Sequence, residues 1–374
     1  MPQPGAAEGT ALIDHFSQFF TENPRAAQEA NPTNRPRRLA AVRILVTGAA
    51  GFIGSNFVRH RLEHRPGDHI VAYDLLTYAG NRESLADLED RLVFVQGDIA
   101  DGELVEQTLR DESVEVVVNF AAESHNSLAV VDPGRFFRTN VLGTQTLLEA
   151  ARRWGIGRFH HVSTCEVYGD LPLDSDETFS EESPYRPRTP YNASKAAADH
   201  AVRAYFETYG LPVTITNCSN NYGPYQFPEK VIPLFTANAL DDRPLPLYSS
   251  TENRREWLHV LDHCRAIDLV LDRGEAGETY NVGSGIEKSI EEIADGVLEL
   301  TGKAASLKTI VPDRPGHDRR YLLDSAKLRE QLGWRDEIPF DEGLAETVRW
   351  YEANRAWWEP LKERAPVVET SSWS

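Results

Sequence analysis

The stretch beginning at Arg43 constrains the fold more than any other. Arg43-Ile44-Leu45-Val46-Thr47 is a short apolar run, followed at once by Gly48-Ala49-Ala50-Gly51-Phe52-Ile53-Gly54 and then by helical spacing through Leu62. The glycines of a GxxGxxG turn let backbone N–H groups at the positive end of a helix approach a pyrophosphate. Glycines alone only turn a chain; here the context adds to them. The next strand, at 69–73, ends on Asp74, 20 residues past Gly54. A carboxylate there accepts both ribose hydroxyls and repels a 2′-phosphate, so the pattern predicts NAD rather than NADP. Gly97-Asp98-Ile99, after a third strand, is expected to seat the adenine, with Asp98 on its exocyclic amine.

Further apolar strands are expected at 92–95, 114–120 and 158–163, separated by helices at 102–110 and 140–154. Strands without polar alternation are buried on both faces, which predicts an α/β fold with a doubly wound parallel sheet of Rossmann type. After about residue 175 proline becomes frequent, around helices expected at 193–209, 261–273, 290–301, 325–332 and 340–357. The expected division is a flexible N-terminal arm at 1–40, a dinucleotide-binding domain at 41–215 with contributions from later segments, a smaller interleaved substrate domain at 216–360, and a tail at 361–374.

Charge narrows the partner. The 374 residues carry 58 acidic and 39 basic side chains, net −19, and the first 40 hold four of each, so the excess belongs to the rest. Bulk electrostatics therefore argue against a nucleic-acid or anionic-membrane partner. An anionic small substrate requires a local cluster of Arg and Lys. Cys165, Cys218 and Cys264 are too far apart for a disulfide framework or a metal site. With no apolar run of membrane length and no secretory signal, the expected location is the cytoplasm.

Tyr191-Asn192-Ala193-Ser194-Lys195 sets a phenol and an ammonium one helical turn apart. A tyrosine with its ordinary pKa near 10 is a poor base at pH 7. The ammonium is expected to stabilise the phenolate and to hold a nicotinamide ribose. With Ser163-Thr164 ending an upstream strand, the combination resembles the extended short-chain dehydrogenase/reductase family. Longer segments at 119–125, 139–144, 163–170, 218–230, 257–260 and 314–321 narrow this to the dTDP-glucose 4,6-dehydratase type of nucleotide-sugar dehydratase. The resemblance spans roughly residues 43–350.

What the resemblance implies is a lyase that oxidises C4 of a nucleotide-linked hexose, removes the C5 proton, expels water and returns hydride to C6. Tyr191 would take the C4-hydroxyl proton, Thr164 would bond the same oxygen, and Glu166 would take the C5 proton. NAD would be held by Gly48, Gly51, Phe52, Ile53, Gly54, Asp74, Thr77, Asp98, Ile99, Ala121, Ala122, Ser124, Thr139, Tyr191, Lys195 and Asn221. Substrate would lie against Ser124, Thr164, Asn220, Lys230, Val231, Pro246, Tyr248, His317 and Asp318, with Arg255 and Arg314 on the diphosphate. A homodimer built on the helices at 102–110 and 140–154 belongs to the same expectation, and no metal does.

The pattern breaks at the sugar pocket. The family's usual Asp between Thr and Glu, the acid for the departing C6 hydroxyl, is Cys165 here. Asn126-Ser127-Leu128-Ala129 stands where a Val-Asp-Arg/Asn-Ser type of segment is usual, Ser249-Ser250-Thr251 where Gly-Asp-Gly is usual, and Glu256 in place of Asp. Dehydration is the first expectation. The alternative is a related enzyme with a changed second half, giving a 4-keto or 5,6-unsaturated sugar, decarboxylating a hexuronate, or epimerising C4. A non-catalytic NAD-binding regulator predicts loss of Tyr191 or Lys195, and both are present.

Overall fold

The computed structural model describes residues 41–313 and 315–365. The expected arm, Arg314 and 366–374 lie outside the described residues.

Six strands in succession, β1 (Arg43–Thr47), β2 (His69–Asp74), β3 (Leu92–Gln96), β4 (Val116–Asn119), β5 (Arg158–Thr164) and β6 (Val213–Cys218), build the large sheet. The chain then leaves it for β7 (Asn220–Tyr222), β8 (Leu245–Tyr248) and β9 (Arg254–His259), and β10 (Thr279–Val282) returns to its edge. The order is β10-β6-β5-β4-β1-β2-β3, with every neighbouring pair parallel.

Alternation along β1 explains why both faces are covered, since successive side chains point to opposite sides. Ile44 and Val46 pack with Phe57 and Val58 of the helix Phe52–His64 and with Ile267 of the helix Val260–Arg273. Leu45 faces the other way, onto Val105 of Gly102–Asp111 and Leu147 of Thr144–Trp154. Each such fully buried side chain contributes about 2–3 kcal/mol by removal from water. The order of strands reverses at β1, with β2 and β3 laid down on one side and β4, β5 and β6 on the other, opening a crevice at the carboxyl ends of the strands, where α/β sheets bind ligands.

The smaller lobe contains a three-stranded sheet, β9 between β7 and β11 (Glu287–Ser289), and a parallel pair of β8 with β12 (Lys308–Val311). Its core joins Tyr222, Phe235 and Trp257 to Ile293, Val297 and Leu344. The helix Ile290–Thr301 falls where its sequence predicted, opened by a capping box between Ser289 and Glu292.

Two helices differ from expectation. The stretch expected as one helix from 140 is π-helical over Phe137–Gly143 before becoming α-helical at Thr144–Trp154. In that widened turn Asn140 exchanges hydrogen bonds with the Glu123 backbone (2.8 and 3.0 Å) and donates to Ser194 Oγ (2.8 Å). A side chain thus ties the turn to the loop after β4 and to the Tyr191 helix. The helix expected at 340–357 instead ends at Ala353 and restarts as Arg355–Lys362. Asn354 caps the break, its amide donating to Trp350 O at 2.8 Å.

Candidate active site

The glycine turn lies at the crevice. Gly48 has φ +65°, and a Cβ there would sit 2.7 Å from the Ala121 nitrogen. A Cβ on Gly54 would sit 2.2 Å from Gly48 O. Only glycine satisfies either position. No side chain caps the helix Phe52–His64 and no acid occupies its first turn, so its positive end stays available to an anion. Asp74 ends β2 beside this turn: one carboxylate oxygen accepts from Ala50 N (2.9 Å), the other from Leu76 N (2.7 Å). Burial pushes its pKa up, while those two N–H bonds pull it down. Each oxygen keeps a lone pair for a ribose hydroxyl. Asp98 folds back onto Ala100 N at 2.9 Å, and Ile99 packs under Gly143. Thr77 lies on the loop after Asp74, its carbonyl accepting from Arg364. These residues fit NAD.

The second cluster sits at the carboxyl end of β5. Thr164 ends the strand and its Oγ1 accepts from Glu166 N at 3.2 Å, while its own proton faces the Tyr191 oxygen. Tyr191 and Lys195 come from the helix Pro190–Tyr209. Lys195 is 3% exposed, donates to Val162 O (2.8 Å) and lies 3.3 Å from His161 Nε2. Behind it Asp199, wholly buried, accepts from Ser163 Oγ (2.9 Å) and Tyr185 OH (3.0 Å). Burial lifts Asp199 to about 6, against the pull of Lys195.

Tyr191 is driven well above its ordinary value by burial and then by Glu166, with a hydrogen bond from Thr164 opposing. The Lys195 amine lies on the inner side of its helix, against the Val162 carbonyl and His161, with Asp199 opposing the effect of burial on it.

Cys165 is 1% exposed, packed with Val167, Tyr168, Ala196, Tyr321 and Leu323. Burial, then Glu166, pushes its thiol well above the ordinary range. A neutral thiol so placed is a poor acid toward hydroxide.

On the substrate side the placements are mixed. Lys230 reaches over to donate to Ser124 O at 2.9 Å. Tyr248 and His317 stack edge to face at 5.0 Å. Arg255 is 4% exposed, donates to the carbonyls of Arg254, Arg319 and Asp318, and lies 4.7 Å over the Tyr321 ring. Three of its five N–H bonds are thereby committed to the protein. Asn221 likewise spends its amide inward, on Ser219 O and His263. Ser249 and Ser250 close onto Asp313, both hydroxyls at 2.6 Å. Sequence reasoning missed Arg188 and Arg319. Both pair with Asp170 beside an open cavity of about 640 Å³. Arg188 also lies 3.5 Å from Asp318. No periodicity marks such a long-range cluster. Asn220, Val231 and Pro246 begin or lie in β7, the helix Val231–Leu240 and β8; the Ala121 backbone lies against Gly48, Ala122 follows it in the chain, and Thr139 lies in the π-helical turn.

A doubly wound sheet with a glycine turn, an acid ending β2 and a Thr–Tyr–Lys set defines an NAD-dependent enzyme of the short-chain dehydrogenase/reductase class. Within that class the chain belongs to the GDP-mannose 4,6 dehydratase family, whose model matches residues 45–347. It is 50% identical over 327 residues to the dTDP-glucose 4,6-dehydratase of Streptomyces niveus, covering 86% of this chain and 96% of that one. The NAD-bound crystal structure of DesIV, a dTDP-glucose 4,6-dehydratase from Streptomyces venezuelae, superposes with a TM-score of 0.83 at 51% identity, covering 86% of this chain and all of that one. An NAD-bound UDP-glucose 4-epimerase from Thermus thermophilus follows at 34% identity and a TM-score of 0.78, covering 84% of this chain and all of that one. The chain is an NAD-dependent nucleotide-sugar 4,6-dehydratase.

Proposed function

We propose that the substrate is dTDP-glucose and the product its 4-keto-6-deoxy derivative. The observation that carries this reading is the convergence of Thr164, Glu166 and Tyr191 on one strand end beside the NAD cradle, with Glu166 retained. Epimerisation at C4 has no use for a C5 base. When bound, NAD would supply the acceptor for hydride from C4 and the source of hydride at C6. Tyr191 takes the C4-hydroxyl proton while Thr164 donates to the same oxygen. Glu166 then removes the C5 proton, which the new ketone has acidified. As the C5–C6 double bond forms, the C6–O bond breaks, and the proton held by Glu166 leaves with the hydroxyl as water; a solvent proton then enters C5 as hydride reaches C6. One carboxyl group thus serves as base and acid in place of the usual pair.

Arg255 and Arg314 hold the diphosphate in this account, with Lys230 and Asn220 beside the nucleotide and sugar. Two copies pair through the helical face that carries the exposed Leu142 and Trp154, and the enzyme works in the cytoplasm. No helix among the described residues is long and apolar enough to cross a membrane.

The test is incubation with dTDP-glucose and product NMR. A C6 methyl doublet beside a C4 ketone supports the reading; an exocyclic methylene or a five-carbon sugar overturns it. Because Glu166 carries the proton, Cys165→Ala is expected to keep kcat within about threefold and to lower stability by about 1–2 kcal/mol through the small cavity left behind. Urea unfolding and steady-state rates check this, and a hundredfold loss of kcat in a folded variant would restore the thiol as the acid.

A further inference from the structure

Asn126 belongs to a segment where this chain departs from its family's usual pattern, and it touches the base. Its Nδ2 lies 3.1 Å from Glu166 Oε2 and 3.5 Å from Oε1, and its Oδ1 accepts from Thr189 Oγ1 at 3.3 Å. Thr189 caps the helix that carries Tyr191, accepting from Asn192 N at 3.2 Å.

The chemistry of these groups fixes the direction of every bond. An ionised carboxylate only accepts, so the amide nitrogen must face Glu166 and the amide oxygen must face Thr189. The Thr189 oxygen already takes the Asn192 N–H, so its own proton goes to Asn126. The result is a one-way relay from the backbone beside Tyr191, through Thr189 and Asn126, to Glu166.

We propose that Asn126 is a positioning residue for the C5 proton transfer: it holds the Glu166 carboxylate in register with the Tyr191 helix. Glu166 and Tyr191 arise from different elements, β5's end and a separate helix, and side chains on separate elements keep sub-ångström registry only when something ties them. In Asn126→Val both bonds vanish while the volume changes little. This inference rests on the dehydratase reading above.

The experiment mixes the NAD-loaded enzyme with dTDP-glucose in D2O. It follows absorbance at 340 nm for C4 oxidation and NMR for deuterium entering C5 and for product. In Asn126→Val the 340 nm signal is expected to rise at close to the wild-type rate and then accumulate. Deuterium entry at C5 and product formation fall at least tenfold. Asn126→Asp, which keeps the reach to Thr189 but sets a second negative charge against Glu166, is expected to lose exchange at least as far. Asn126→Gln recovers part of the lost rate. Equal losses in oxidation and exchange, or wild-type exchange in a folded Asn126→Val, overturn the proposal. A wild-type enzyme that gives no 340 nm signal with dTDP-glucose overturns the dehydratase reading instead, so the two failures are told apart.

Discussion

Tyr191→Phe lowers kcat by about 10³-fold, within the 10²- to 10⁴-fold range that a positioned general acid–base group supplies. The change deletes one oxygen and leaves the ring against Phe136, where the two rings meet at 6.3 Å and 74°. Folding and NAD content therefore stay as in the wild type, and thermal melting with absorbance of the extracted cofactor checks both. Burial and then Glu166 raise the pKa of the phenol, so it must give its own proton to solvent before it can accept the one from C4. Removing it takes away the acceptor for the C4-hydroxyl proton, so the 340 nm signal of C4 oxidation is lost as well as product. That pattern is opposite to the one expected for Asn126→Val, which spares oxidation. A Tyr191→Phe enzyme with more than a tenth of wild-type turnover would remove Tyr191 from its role.

The second large effect is on stability in acid. His160 and His263 are wholly buried and burial lowers both to about 3; His60 and His259 fall to about 4 for the same first reason. His160 lies between two hydroxyls of β6, Thr214 Oγ1 at 2.9 Å and Thr216 Oγ1 at 3.1 Å, a setting for a neutral ring. The sign follows from proton counting. Below pH 6.5 the unfolded chain binds a proton at each of these rings and the native state does not, so stability falls on acidification. Each ring contributes a slope of up to about 1.4 kcal/mol per pH unit until its native pKa is reached. Asp199, raised to about 6, and Glu256, raised to about 7, act in the opposite sense: their stabilisation is complete below the ordinary carboxylate range and is lost as pH rises through 6–7. With Asp74, Glu123, Glu181, Glu229 and Asp262, which burial also raises, they offset part of the histidine slope. Near pH 4 the unfolded carboxyls take up protons, but native His60 and His259 do so as well, and the two changes oppose each other. Urea midpoints are therefore expected to drop from pH 6.5 toward 4 without a steeper stretch below 4.5. His160→Gln flattens the dependence by up to one proton. A midpoint that stays level from pH 7 to 4.5, or an unchanged slope in His160→Gln, contradicts this assignment.

Much of the large sheet was legible in the sequence because its signals are local. An apolar run, a glycine triplet and an acid at the next strand end lie within about 30 residues, and the structure places Gly48, Gly54 and Asp74 around one crevice. The helix Ile290–Thr301 was equally local, its Ser289–Glu292 box being written in four consecutive residues. What escaped was decided across the fold. The inward draw on Lys195 comes from Val162, His161 and Asp199, and β5 is set beside the helix only by tertiary packing. Arg255 reads as a free cation in sequence, yet spends bonds on Asp318 and Arg319, more than 60 residues away. The contact of Asn126 with Glu166 spans 40 residues, and as sequence Asn126 showed only that something had changed. The π-helical turn at Phe137–Gly143 is likewise fixed by Asn140 reaching Glu123 and Ser194, partners that helical periodicity does not reveal.

In the proposed reaction hydride leaves C4, stays in the same site through loss of water, and returns to C6. dTDP-glucose carrying deuterium at C4 tests it in one measurement. The predicted result is a 4-keto product whose C6 methyl is CH2D, with the label retained when unlabelled NADH is present in solution. Label remaining at C4, or a product without a methyl group, would contradict it.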